Sequence, residues 1–192
     1  MDKANNCRLH SDGNPKNIAI AIPGTGYTCK EKLMRDSLDF YADMGYETLC
    51  LDFSTIPFKE IETLEEAAAL ATKLAMEQLS GIRLEEYRDI VLISKSLGTV
   101  VAGRLDTQLP IRPRHMLFTP LNETLAYIRN DTAVIATVLG TRDSHMNAER
   151  LRAFCAARGI PCLILGGVGH SLKYDDENAT NEANRSILAL LR

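Results

Sequence analysis

The chain has 192 residues, of which 45% are hydrophobic and 24% charged, with a net charge of −3. A chain of this size buries roughly 70% of its unfolded surface, enough for one domain over 1–192 that needs neither metal nor disulfide. The absence of a basic excess excludes nucleic acid as the main partner. No uncharged apolar run approaches the ~18 residues that cross a bilayer, so no membrane association is expected.

The first 17 residues are polar; Cys7 to His10 could form an edge strand turning at Asp12-Gly13-Asn14-Pro15. Nothing from Met1 to Asn14 resembles an apolar signal core, so a cytoplasmic location is expected. From there apolar runs of strand length alternate with amphipathic segments. The runs are Ile18 to Ile22, Thr48 to Phe53, Ile90 to Ser94, His115 to Thr119, Ala133 to Leu139 and Pro161 to Leu165. They are continuously apolar, which predicts strands buried on both faces of a parallel sheet. The helical segments are Cys29 to Met44, Ile61 to Ser80, Leu97 to Gln108, a short Leu121 to Arg129, Asn147 to Arg158 and Asn181 to Leu191. Gly45, Gly81 and Gly159 follow three of them as stops. Asp175-Asp176-Glu177 reads as a solvated helix entry. Strand and helix alternate about six times, which predicts an α/β doubly wound, mostly parallel sheet with helices on both faces.

Cys7, Cys29, Cys50, Cys155 and Cys162 are odd in number and form no C-x-x-C, so reduced, mostly buried thiols are expected. Neither a structural disulfide nor a metal cluster is expected.

In open α/β sheets ligands bind beyond the carboxyl ends of the strands. Those ends carry Pro23-Gly24-Thr25-Gly26, Ser94-Lys95-Ser96-Leu97-Gly98, Gly140-Thr141-Arg142-Asp143 and Gly166-Gly167-Val168-Gly169-His170. The second passes from strand to helix with almost no loop. A nucleophile elbow needs small residues two before and two after its serine, usually G-x-S-x-G; here Ser94 replaces the first glycine. Serine needs a base and an orienting carboxylate, and Ser96, Asp143 and His170 follow the chain order expected for this fold. Oxyanion donors would be the Leu97 amide and the Thr25 amide.

Simpler readings exist for each residue. Ser96 could cap the helix. Asp143 could cap a loop, leaving Glu123, after the fourth strand, as the reserve acid. Lys95 could form a salt bridge or snorkel, and a Ser-Lys dyad is a further option. His145 could line the site and His115 could be structural. Tyr27, Phe53, Phe58, Met146 and Leu172 are candidate walls of a substrate pocket, or plain packing. Gly24-Thr25-Gly26 with Asp52 at the end of the next strand also fits part of a dinucleotide fingerprint, but Cys29 stands where its third glycine belongs.

The motifs P-G-T-G, S-K-S-L-G-T, G-T-R-D and G-V-G-H-S-L, in this order, resemble the α/β-hydrolase family from about residue 18 to the end. The resemblance implies a minimal six-strand member with Ser96 on the central strand and a carboxylic ester, thioester or related acyl substrate. Only about a dozen residues separate Thr119 from the next strand, too few for a lid domain, so an open site taking small or exposed acyl groups is expected. No cofactor and no metal are expected; the expected partner is a small-molecule acyl substrate, with a monomer as the default. A non-catalytic binding scaffold of the same fold is the alternative.

Overall fold

A computed structural model describes residues 16–192. The edge strand considered for Cys7 to His10 lies outside the described residues. Among the described residues six strands form one sheet: β1 (Lys16–Ile22), β2 (Glu47–Cys50), β3 (Tyr87–Lys95), β4 (Arg114–Phe118), β5 (Ala133–Gly140) and β6 (Cys162–Leu165). Their spatial order is β2-β1-β3-β4-β5-β6, and every pairing is parallel. Among the described residues the α-helices are α1 (Lys32–Asp43), α2 (Leu64–Leu79), α3 (Leu97–Gln108), α4 (Ala148–Ala156) and α5 (Glu177–Leu188).

The continuous apolar character of the strands has its expected cause. Ile18, Ile20, Ile22, Ile90 and Leu92 face one core with Ala68, Ala71 and Ala75 of α2 and Val100 and Val101 of α3. Ala19, Ala21, Val91, Ile93, Phe118 and Val138 face the opposite core, with Leu33, Met34 and Tyr41 of α1 and Ala183 and Ile187 of α5. Both sets are almost fully buried, and the period of two along each strand divides them between the faces. A smaller cluster of Leu139, Met146, Leu151 and Cys155 seats α4.

Capping explains where the helices begin. Thr63 accepts from the Glu66 amide at the start of α2, and Asn147 accepts from the Arg150 amide at α4. Asp176 accepts from the Asn178 amide and starts α5 four residues before the apolar spacing does. The short helix anticipated over Leu121 to Arg129 is instead a 3₁₀ turn, Asn122–Tyr127.

The chain runs from β1 to β2 on one side, then crosses to β3 on the other. The point where connections part is therefore between β1 and β3, where the carboxyl ends leave a crevice.

The expectation of reduced thiols throughout is corrected: Cys29 and Cys50 form a disulfide, while Cys155 and Cys162 are free. Ala21 of β1 lies opposite Cys50 of β2, and the loop leaving β1 folds back across the end of β2. Sequence spacing could not show that approach, because it depends on which strand β1 pairs with. Closing a loop across a sequence separation of 21 is worth about 3 kcal/mol in chain entropy. Reduction, or Cys29→Ser, accordingly lowers the melting temperature by roughly 6–12 °C, read by calorimetry with and without reductant. An unchanged melting temperature would contradict this.

Candidate active site

Ser96 stands between β3 and α3 with φ 54° and ψ −123°, a conformation that costs a non-glycine residue about 1–3 kcal/mol. The turn is crowded. A Cβ on Gly98 would sit 2.1 Å from the Ile22 carbonyl oxygen, and one on Gly24 would sit 2.8 Å from Ser96 Cβ. Ser94 is fully buried and is tolerated two residues before the elbow because its hydroxyl donates to the Met116 carbonyl of β4, 3.3 Å away. Gly24 is thus explained by the close approach of the elbow, which removes the main support for a dinucleotide reading of Gly24-Thr25-Gly26.

Ser96 makes no side-chain cap on α3. Its Oγ is 2.8 Å from His170 Nε2, and His170 Nδ1 is 2.7 Å from Asp143 Oδ2. Asp143 also performs the loop-capping role: its Oδ1 accepts from the amides of His145 (2.8 Å) and Met146 (3.2 Å). Burial raises the pKa of this carboxyl, but the hydrogen bond from His170 and the two amides outweigh it and hold the group below its ordinary value. Asp143 therefore stays ionised beside the imidazole. Its side chain is fully buried, while that of His170 is 26% exposed.

The loops that carry the two residues are stitched together. The Thr141 amide donates to the Leu165 carbonyl, the Arg142 amide to Val168, and the Gly167 amide to Thr141 Oγ1. Glu123, the reserve acid, is exposed and lines the cleft, whereas Asp143 holds the contact to His170.

A cleft of about 630 Å³ opens over Ser96. Thr25, Tyr27, Leu97 and His170 line it, and His145 packs edge-on against His170 with ring centroids 4.5 Å apart. Leu97 is the first residue of α3, so its amide has no acceptor within the helix. Four candidate walls lie elsewhere. Phe53 is buried in the α2/α3 core and Phe58 packs against it. Met146 belongs to the α4 cluster and Leu172 to the α1/α5 core. Leu64, Leu121, Asn122, Ser144 and Ser171 line the cleft instead. Of these, Leu121 and Asn122 follow β4, Ser144 follows β5 and Ser171 follows β6, so position after a strand end is the signal that could have pointed to them.

Lys95 neither snorkels nor forms a salt bridge. It is 1% exposed, and its ammonium donates to Thr119 Oγ1 (2.9 Å) and to the His170 carbonyl (2.6 Å). His115 is buried 3.5 Å from Asp106, away from the cleft, as a structural histidine would be. Among the described residues, no cluster of three or more His, Cys, Asp or Glu could hold a metal ion. No helix among them is long and apolar enough to cross a membrane.

No family model matches the sequence, and no curated protein matches it. Solved structures do match. An alpha-beta serine hydrolase homologue from Coxiella burnetii superposes with a TM-score of 0.67 at 14% identity, covering 94% of this chain and 88% of that one. An esterase from Pyrococcus furiosus gives a TM-score of 0.61 at 16% identity, covering 92% and 82%. A thermophilic esterase from Thermogutta terrifontis, solved with propionate bound, gives 0.61 at 15% identity, covering 96% and 84%.

Proposed function

We propose, from the α/β-hydrolase fold of this chain and the hydrogen-bonded series at the end of β3, that it is a serine hydrolase. It cleaves carboxylic esters or thioesters of small or exposed acyl groups. One observation carries the reading: Ser96 leaves its helix uncapped and points Oγ at His170 Nε2, whose other nitrogen is held by a buried carboxylate.

Ser96 Oγ attacks the acyl carbon while its proton passes to His170 Nε2. Asp143 fixes the tautomer with the proton on Nδ1 and stabilises the imidazolium that forms. The amides of Thr25 and Leu97 receive the oxyanion, an arrangement in which one donor is worth about 10²–10³ in turnover. The tetrahedral adduct collapses, and His170 returns the proton to the leaving alcohol or thiol. Water then attacks the acyl-enzyme, with His170 again as base, and releases the acid and free Ser96.

The open cleft supports the substrate class. Between β4 and β5 the chain forms the Asn122–Tyr127 turn, whose first residues line the cleft, and no longer insertion. Turnover of p-nitrophenyl esters from acetate upward, in wild type and Ser96→Ala, tests the proposal. Short soluble esters are expected to turn over fastest, and Ser96→Ala to lose about 10⁴-fold or more. Undiminished turnover in Ser96→Ala would sink the mechanism. Preference for long-chain emulsions would sink the substrate class.

A further inference from the structure

The side chain of Lys95 is among the largest that the fold buries completely. The alternation along β3 puts it on the face of Val91 and Ile93, directly beneath the loops that carry the site. Its ammonium has three partners from three separate loops. Thr119 follows β4, His170 follows β6, and the ring of Tyr27, after β1, lies with its centroid 4.8 Å from Nζ.

A buried charge is a costly way to fill this space, because desolvating an ammonium costs several kcal/mol and an apolar side chain of the same length would pack without that cost. Burial pushes the Lys95 pKa down from 10.5 to about 8; Lys173 adds to the shift, while the fields of Asp143 and Glu31 oppose it. Desolvation alone therefore argues against a lysine here, and its partners must account for it.

The neighbours supply a reason. Among the described residues, three non-glycine residues adopt a left-handed φ: Ser96 at 54°, Thr119 at 43° and Leu172 at 58°. Lys95 precedes the first in sequence, donates to the side chain of the second, and donates to the carbonyl of His170, two residues before the third. Strained backbone of this kind persists only where its surroundings over-determine it.

We propose that Lys95 is a positioning residue: its ammonium ties the His170 backbone to Thr119 and Tyr27, and so sets His170 Nε2 against Ser96 Oγ. The bond runs to the main chain of His170 and not to its ring, so it governs where the base stands. The inference rests on the serine hydrolase reading above. Displacing a reacting group by about 1 Å costs on the order of 10²-fold in rate.

The test compares wild type, Lys95→Met and Thr119→Val by melting temperature, by kcat and KM on p-nitrophenyl acetate, and by the rate of fluorophosphonate labelling at Ser96. Lys95→Met is expected to fold with a lower melting temperature, because the Thr119 hydroxyl and the His170 carbonyl lose their donor, to lose about 10²-fold in both kcat and labelling rate, and to leave KM within about twofold. Thr119→Val retains the β-branch and removes one acceptor; it is expected to lose roughly tenfold in kcat. A folded Lys95→Met with wild-type kcat overturns the proposal, as does a rise in KM with kcat unchanged. If Lys95→Met does not fold, Thr119→Val decides, and wild-type kcat in that variant overturns the proposal. A wild-type protein that neither labels nor turns over overturns the serine hydrolase reading itself, an outcome distinct from variants that match an active wild type.

Discussion

Asp143→Asn is expected to lower kcat by about 10⁴-fold, some 5 kcal/mol of barrier, with KM little changed. Asp143 uses its two oxygens differently. Oδ1 holds the amides of His145 and Met146, and Oδ2 holds His170 Nδ1. An asparagine keeps its carbonyl oxygen on the two amides, because they are donors. That directs its NH₂ at His170 Nδ1, which must then become an acceptor. The ring proton moves to Nε2, facing Ser96 Oγ, and the imidazole can no longer take the serine proton. The fold is retained, since the loop still has its cap. Glu123→Gln is the companion variant: this residue lines the cleft without holding His170, so kcat is expected within about twofold of wild type. The opposite pattern, activity retained in Asp143→Asn and lost in Glu123→Gln, would assign the acid to Glu123.

Gly98→Ala is expected to destabilise the protein by roughly 3 kcal/mol or more and to remove most of the activity. Intrinsic propensity argues the other way, since alanine is about 1 kcal/mol better than glycine inside a helix. Contact geometry reverses the sign. The new Cβ would stand 2.1 Å from the Ile22 oxygen and 2.6 Å from the Pro23 oxygen, both main-chain atoms at the end of β1. Neither can rotate aside. Either α3 lifts away from β1 or the loop carrying Thr25 is pushed outward; both separate the Leu97 amide from the Thr25 amide. Thermal melting together with ester turnover reads the two effects, and a variant as stable and active as wild type would contradict this picture of the elbow.

Much of this architecture was legible because burial on both faces leaves a plain mark. Ile18 to Ile22 is apolar at every position, and it lies between two other strands with both faces buried. The order Ser96, Asp143, His170 was legible because each follows a strand, and parallel strands bring all their carboxyl ends to one edge. Contacts between loops were not legible. Phe53, Met146 and Leu172 follow strands as surely as His170 does, yet their side chains turn into the cores, because nothing in adjacency to a strand end says which way a side chain faces. The Cys29–Cys50 bridge needed the pairing of β1 with β2. Lys95 read as a salt-bridging or snorkelling side chain, with the third strand expected to stop at Ser94. The strand continues one residue further, and that residue points inward beneath three loops.

The most direct test of the central claim is to map the adduct of a fluorophosphonate probe by mass spectrometry on wild type and Ser96→Ala. The geometry predicts one adduct, on the peptide containing Ser96, and none in the variant. A folded wild-type protein left unlabelled, or labelled equally in Ser96→Ala, would contradict an activated Ser96 and favour a binding scaffold built on the same fold.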